Sequence, residues 1–128
     1  MASYAELAAA LEPVGLPITM PGEEAKALPC ITLEPTSISL IDGARVGFEN
    51  VNVMVRYELG KGNAHQFAEL NAAAYHVLQL LLGSRFPVAV DIPLIGNANT
   101  EPPSFAYQLE VTFQGLDICP PSPTTEED

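Results

Sequence analysis

Residues 50–83 read NVNVMVRYELGKGNAHQFAELNAAAYHVLQLLLG, and this stretch decides the fold because two different hydrophobic periods follow each other in it. In the first part, apolar and polar residues alternate one by one, which is the pattern of a strand with one buried face. The apolar positions are Val51, Val53, Val55 and Tyr57, and the polar positions are Asn50, Asn52, Arg56 and Glu58. The pattern predicts a long strand over 45–59, with one face on a core and the other on water or a partner.

In the second part, apolar residues recur at steps of three and four, which is the period of an amphipathic helix. They are Phe67, Leu70, Ala74, Val77, Leu78 and Leu81. Asn63 and Gln66 match a capping box at the start of this helix, and Gly83 stands where a left-handed residue commonly ends one. The sequence therefore predicts a helix about 28 Å long, at 1.5 Å per residue, packed on a sheet.

Weaker signals on both sides complete the pattern. Ser3 and Glu6 form a second capping box that starts a short helix, which Pro13 and Gly15 end. Pro35 ends the first predicted strand, and the hairpin dipeptide Asp42-Gly43 precedes the long one. The first predicted strand covers 28–34, and 37–41 is predicted to extend it. The other predicted strands cover 45–59, 88–92 and 105–118, and 95–103 is predicted to be a loop.

The order of these elements predicts an α+β fold. The expected architecture is a mainly antiparallel sheet of four to five strands with one long helix packed on a face and a short N-terminal helix. A chain of 128 residues fits one domain, predicted over 1–118. The remaining segment 119–128 is acidic and rich in proline, and is expected to be a loose tail because it cannot bury enough apolar surface.

The charge balance argues against several classes of partner. Five Lys and Arg against sixteen Asp and Glu give a formal net charge of −11. Since affinity for nucleic-acid backbones comes from basic side chains that displace counterions, charge-driven nucleic-acid binding is not expected. Anionic membranes are disfavoured for the same reason, and no apolar run approaches the roughly 18 residues of a spanning helix. The segment 1–13 lacks the pattern of a secretory signal, so a soluble protein without export is expected.

No motif for catalysis, a cofactor or a metal stands out. The glycines match neither a phosphate-binding loop nor a dinucleotide fingerprint, and there is no nucleophile elbow. His65 and His76 lie about 16 Å apart along the predicted helix, too far for one metal ion. Cys30 and Cys119 lack ligand spacing and are expected to be two buried, reduced thiols, although a disulfide between them stays open. The sequence thus predicts no enzyme, no cofactor and no metal site.

The few basic residues are unevenly distributed, since none follows Arg85. Such asymmetry would let a basic side of one subunit pair with an acidic side of the next, as in a ring. Ordinary surface salt bridges within one chain explain the same pattern equally well. The candidate subunit-interface residues are Arg45, Arg56, Lys61 and Arg85, with Arg56 and Arg85 as candidates for salt bridges between subunits.

The layout of these segments resembles the tail terminator, or tail completion, proteins of long-tailed bacteriophages. The resemblance covers 3–118 and includes no catalytic signature; the segment after Cys119 lies outside it. The segments that carry it are the N-terminal helix 3–11, LPCITLEP (28–35), VNVMVRYELG (51–60), AHQFAELNAAAYHVLQLLLG (64–83) and SFAYQLEVTFQGLDI (104–118).

The resemblance implies a structural virion protein. Such a protein forms a ring, expected to be a hexamer, that caps the tail tube, stops its polymerisation and joins it to the head-side connector. Its expected partners are other copies of itself, the tail tube protein and the head-tail connector protein. DNA passes through the lumen without specific binding. The expected location is the head-proximal end of the tail in the virion, after assembly in the host cytoplasm.

An acidic surface facing the lumen would repel DNA and let it slide, and basic residues lining the lumen would contradict this hypothesis. Contacts are expected at polar edge positions of the long strand, at the turn 60–63 and at the loops 21–27 and 96–103.

Two alternative functions stay open. One is another head-tail joining or connector subunit, which would also assemble as a ring but stack at a different place. The other is a small acidic ligand-binding α+β protein. Its pocket between helix and sheet would be lined by Phe67, Tyr75, Tyr107 and Phe113. Because these aromatic residues lie on apolar stripes, core packing accounts for them as well.

Overall fold

The structure is a computed structural model that describes residues 3–24, 27–40, 46–58, 64–97 and 104–117. It confirms the predicted α+β fold. The elements in chain order are α1 (Tyr4–Leu11), a 3-10 turn (Glu12–Val14), β1 (Ile18–Thr19), β2 (Cys30–Leu40), β3 (Val46–Glu58), α2 (Ala64–Gly83), β4 (Leu94–Asn97) and β5 (Ser104–Asp117). The predicted hairpin dipeptide, the cap residue Asn63 and the tail 119–128 lie outside the described residues.

The described strands form one sheet in the order β1-β2-β3-β5-β4. β1 and β2 are parallel, and the other neighbouring pairs are antiparallel. The long strands β2, β3 and β5 lie side by side and form a three-stranded ribbon. In it, Val53 lies opposite Leu33 on β2 and opposite Leu109 on β5. The alternation predicted for β3 and β5 is confirmed, because all three of these side chains belong to the buried core.

Both helices contribute to this core. On α2, the buried positions are Leu70, Ala74, Val77 and Leu81, which confirms most of the predicted stripe. Phe67 stays partly exposed and stacks on Phe105, with ring centroids 6.2 Å apart. Leu7 and Leu11 of α1 are fully buried in the same cluster. The Ser3 hydroxyl oxygen accepts a hydrogen bond from the Glu6 N–H at 3.2 Å, so the predicted cap of α1 is present.

β2 continues through Pro35, so the prediction that this proline ends the strand is wrong. β1 pairs only with Ile31 and Thr32, and beyond them β2 has no other strand on that side among the described residues. A proline is tolerated on such an edge because its missing N–H breaks no ladder there. A register shift between Pro35 and Ser37 accommodates the irregularity.

The strand predicted over 88–92 is also wrong. The fourth strand is β4, which begins at Leu94 and continues into the segment 95–103 predicted as a loop. Around 88–92, pairing with β5 is limited to an isolated bridge between Val88 and Val111. Pro87 before this segment and Pro93 after it lack the N–H groups that a continuous ladder needs. The regular hydrogen bonds therefore begin only at Pro93, whose carbonyl accepts from the Gln108 N–H at 3.0 Å.

The end of α2 differs from the prediction at Gly83. Gly83 belongs to the helix, and the left-handed residue is Arg85, with φ of 66°. The Phe86 N–H donates to the Leu81 carbonyl at 2.9 Å, and the Arg85 N–H donates to the Leu82 carbonyl at 3.0 Å. These two bonds make a Schellman motif. Phe86 and Leu81 are both buried, so the core position of Phe86 decides which residue turns left-handed.

Arg85→Gly is expected to raise the free energy of unfolding by about 0.5–1 kcal/mol, because glycine adopts a positive φ without the clash of a Cβ. Arg85→Val should lower it by at least a similar amount. Urea unfolding measures both changes. The neighbouring Ser84→Gly is the matched control and should destabilise the protein, since Ser84 does not have a positive φ. Equal losses for the two glycine variants would contradict the assignment.

Candidate assembly surfaces

The side of the ribbon opposite the helices carries polar side chains in cross-strand rows. We call two of these rows the polar face; they are Glu34, Asn52 and Glu110, followed by Ser37, Asn50 and Thr112. Glu34 and Glu110 are exposed, and Asn52 is half-buried. The prediction that the second side of the long strand is polar is therefore confirmed for these two rows, which are open to water or a partner. On the same side, the apolar Met54 and the neighbouring Thr32 are buried.

Asn50 is the centre of a hydrogen-bond network on the polar face. Its side-chain amide donates to the Ser37 hydroxyl at 3.0 Å and to the Ser39 hydroxyl at 2.7 Å. Its side-chain oxygen accepts a hydrogen bond from the Thr112 hydroxyl at 2.8 Å. The Thr36 hydroxyl donates to the Asn50 carbonyl at 3.0 Å. The Asn50 side chain thus connects β2, β3 and β5. The network lies towards the end of the ribbon that contains residues 40 and 46.

Asn50→Ala is expected to lower the free energy of unfolding by about 1–2 kcal/mol, because it leaves several hydrogen-bonding groups on neighbouring strands without their partner. A double-mutant cycle with Thr112→Val should give a coupling energy of about 0.5–1 kcal/mol. Thermal and urea unfolding measure these values. Asn52→Ala, on the same strand and the same face, is the matched control and should cost less. Equal losses at Asn50 and Asn52, with no coupling to Thr112, would show that the network does not stabilise the ribbon.

The structure places two of the four predicted interface residues, and it does not bring them together. Arg56 is on β3, with its guanidinium 3.8 Å from the Glu34 carboxylate of the same chain. Arg85 is exposed at the end of α2. Their salt bridges to another subunit stay predictions. Arg45 and Lys61 lie outside the described residues.

Two apolar side chains near the end of β2 form a second surface, which we call the tip patch. They are Ile38 and Leu40, which are 67% and 65% exposed. In register they lie opposite Glu49 and Gly47, on the same side of the sheet as the core. Gly47 leaves room there, because a Cβ at this position would be 3.1 Å from the Ile38 Cγ2 atom. The apolar side of the ribbon therefore continues past the part of the sheet that is covered, and its side chains are exposed there.

Tyr4 of α1 marks where this cover ends. Its ring packs edge-on against Phe113, with centroids 5.2 Å apart. Burial, followed by the charge of the neighbouring Glu49 carboxylate, raises the pKa of the Tyr4 hydroxyl. Glu49 in turn lies opposite Ile38 in the β2–β3 ladder. In the cross-strand row of Ile38, Glu49 and Phe113, the sheet thus changes from covered core at Phe113 to exposed apolar surface at Ile38.

A third surface lies at the opposite edge of the sheet, along β4 and the segment before it. We call it the margin patch; its exposed side chains are Val90 and Leu94, whereas Ile95 follows Leu94 on β4 and therefore faces the other side of the sheet. The exposed Tyr75 belongs to α2. Next to it is an open groove of about 230 Å³ between α2 and β5. The groove is lined by Asn71, Ala74, Tyr75, Leu78, Ile92, Tyr107 and Leu109. It is mainly apolar, with one amide and two phenol groups.

The pocket expected for a ligand-binding protein is brought together only in part. Tyr75 and Tyr107 both line the groove, whereas Phe113 packs between Tyr4 and Phe86 at a different place. Phe67 is not among the lining residues. The four aromatic side chains therefore do not form one cavity.

The remaining residues with possible site chemistry are dispersed. His65 is exposed, and its Nε2 atom lies 3.0 Å from a Glu69 carboxylate oxygen. Cys30 is buried, and Cys119 lies outside the described residues, so the prediction about a disulfide stays open. Within the described ranges, no group of three or more His, Cys, Asp or Glu side chains could hold a metal ion. None of the helices described there is long and apolar enough to cross a membrane.

Sequence reasoning missed the tip patch and the margin patch, although both contain apolar residues in strand-like segments. The available signal was that Ile38, Leu40 and Val90 lie outside the two strongest periodic segments. Comparison of the chain with protein-family models gave no match, and comparison with curated proteins also gave none.

Proposed function

We propose that this protein is a structural subunit of a bacteriophage tail, namely a tail terminator. It forms a ring at the head-proximal end of the tail tube, stops tube polymerisation and joins the tube to the head-side connector. The proposal is supported by the resemblance of residues 3–118 to this family and by the α+β fold. It implies a role in assembly rather than catalysis.

One observation carries the proposal furthest: the ribbon of β2, β3 and β5 extends past its helical cover and exposes the tip patch on a strand that, beyond Thr32, has no neighbour at its outer edge among the described residues. Strand edges with exposed apolar side chains promote association, and monomeric proteins normally protect them. A subunit that becomes buried in a ring has no need of such protection. The tip patch therefore fits an assembling protein better than a monomeric ligand-binding protein.

The polar face supplies a surface that suits a DNA conduit. Around it, Glu34, Glu58 and Glu110 are exposed, while Arg56 is only half-buried next to Glu34. Its charged groups are therefore mainly acidic. Repeated in every copy of a ring, a lumen lined by this face would repel the DNA backbone and allow sliding. We include this orientation in the proposal.

Purified protein added to polymerising tail tube protein tests the function. Negative-stain images should show a ring with a central hole at one end of each tube, and the mean tube length should fall as the protein concentration rises. Binding to isolated head connectors without any binding to tubes would instead support a connector subunit. A stable monomer that binds neither would reject both assembly functions and favour a ligand-binding protein.

A further inference from the structure

We propose that the outer edge of β5 beyond Thr112 is a docking site for an extended segment of a partner protein, which adds to the sheet as a short strand and places a carboxylate beside Arg85. The outer edge of β5 is the one that faces β4. This inference goes beyond the proposed function, because it concerns a different surface and a partner other than a copy of this chain.

The hydrogen bonds along this edge show which backbone groups of β5 point outward. The Glu110 carbonyl accepts from the Ala89 N–H at 2.9 Å, and the Thr112 N–H donates to the Pro87 carbonyl at 3.2 Å. In an antiparallel sheet, every second residue directs both its N–H and its C=O to the same neighbour. The β3–β5 register has no shift up to Gln114, so Gln114 also points both groups outward.

Two features leave these groups without a strand partner among the described residues. Pro87 lies opposite Thr112 and has no N–H, so it cannot donate to the Thr112 carbonyl. By the same register Arg85 would lie opposite Gln114, but its left-handed backbone, with φ of 66°, turns the chain into the end of α2. The Arg85 N–H donates to the Leu82 carbonyl instead. The edge therefore offers a carbonyl at Thr112 and both backbone groups of Gln114 to an added strand.

An open groove of about 1030 Å³ lies around this edge, and its lining comes from both sides of the sheet. Phe48 and Gln114 form one cross-strand row on the same side as the polar face. Phe113, Phe86 and the Ala10 methyl group line the groove on the side of the helices. Because alternate side chains of a strand point to opposite sides of a sheet, a strand added to β5 fills both parts of the groove. Its side chains on the helix side are expected to be apolar.

Charge determines the remaining feature of the segment. Arg85 is exposed and lines the groove where the chain leaves the edge of β5. Arg56 lies 3.8 Å from the Glu34 carboxylate, whereas Arg85 forms no ion pair with any described carboxylate. An acidic residue at this end of the segment therefore pairs with Arg85. Glu6 lines the groove from α1, so a carboxylate on the helix side would be repelled.

A separate segment fits this site better than a second copy of the chain. Two copies repel each other at long range, because each carries a net charge of −11. The site is also short, since α1 and the turn 84–87 line it together with Thr112 and Gln114. A chain that is extended by itself enters such a site more easily than the edge of a second folded sheet.

Peptide binding tests the site. The probe is a pool of labelled synthetic peptides of about eight residues, in which apolar and polar residues alternate. Half of them carry an aspartate at one end, and the matched half carry asparagine. Fluorescence anisotropy measures binding up to about 1 mM peptide, and the aspartate peptides should bind more tightly. N-methylation of the alternate amides that face β5 should abolish binding of the tightest peptide, whereas methylation of the amides between them should not.

Variants of the protein test the same contact from its other side. Gln114→Pro removes the outward N–H and should weaken binding of the tightest peptide at least about 10-fold, whereas β3 keeps its hydrogen bonds to β5. Gln114→Ala keeps the N–H and is the matched control, expected to bind within about 2-fold of the original protein. Arg85→Gln should weaken the aspartate peptides about 2- to 5-fold and leave the asparagine peptides unchanged. Urea unfolding checks that each variant is folded.

The possible results decide the inference separately from the proposed function. Binding by no peptide of the pool, or equal binding by Gln114→Pro and Gln114→Ala, would overturn it. If Gln114→Pro does not fold, the methylated peptides give the same decision on the unchanged protein. Self-association that is lost in Gln114→Pro, without peptide binding, would show a second copy as the occupant and also overturn it. The capping of tail tubes is measured independently, so each of these results leaves the proposed function standing.

Discussion

Replacement of Leu40 with aspartate is expected to abolish association between copies while leaving the fold intact. Leu40 is 65% exposed in the single chain, so a polar group there costs the monomer little. In a contact between copies through the tip patch, the same position is buried. Loss of a buried leucine costs about 1.5–3 kcal/mol, and a desolvated carboxylate adds to it, so the dissociation constant should rise at least about 100-fold. Analytical ultracentrifugation and the decoration of tube ends measure this loss.

The matched control for this variant is Ala5→Glu, which also adds one negative charge at an exposed position but lies on α1. It should leave association and tube binding nearly unchanged. Circular dichroism and urea unfolding should show that both variants keep the stability of the original protein within about 0.5 kcal/mol. Normal ring formation by Leu40→Asp would show that the tip patch is not part of the contact.

Leu109→Ala is expected to lower the free energy of unfolding by about 3 kcal/mol, the largest stability effect that we predict. Leu109 is fully buried in the middle of β5 and lies opposite Val53 of the central strand β3. It also lines the groove next to α2, so the truncation removes contacts between the sheet and the helix. Urea unfolding followed by circular dichroism measures the change.

Leu82→Ala is the control for this core variant, because Leu82 is 57% exposed on α2. It should cost less than about 1 kcal/mol, mainly because little apolar surface is lost. Both variants should be compared at two protein concentrations, since association stabilises the folded state by mass action. Similar losses for the two leucine variants would contradict the position of Leu109 at the centre of the core.

The strongest periodic segments predicted the core correctly. Val51, Val53 and Val55 are fully buried, and the buried positions of α2 follow the predicted stripe. These segments are long, so their side-chain period identifies both the type of element and its buried face. The sequence also predicted the cap at Ser3, because a capping box depends only on residues within one turn.

The weaker local signals gave wrong predictions where the packing of neighbouring elements determined the local structure. Pro35 reads as a strand end, yet it is tolerated because β1 is too short to reach that part of β2. Gly83 reads as the helix end, yet the burial of Phe86 moves the left-handed position to Arg85. In both cases the preference of one residue is small compared with the packing of the elements around it.

The candidate assembly surfaces illustrate the same limit. Sequence reasoning chose basic side chains such as Arg56, since charge is visible in any sequence. Ile38 and Leu40 have the composition of ordinary strand residues, and they become surface only because α1 and α2 do not extend over them. Exposure is a property of the assembled layers, so no periodicity within β2 can predict it.

By itself, the sequence determined the α+β class, the buried faces of β3, β5 and α2, and the excess of negative charge, because each depends on local period or composition. Only the tertiary structure decided the strand order, the continuation of β2 and the position of the tip and margin patches. These features depend on which elements lie next to each other across long separations in the chain. Burial is a cooperative result of that arrangement, and it determines which apolar residues stabilise the core and which remain available to a partner.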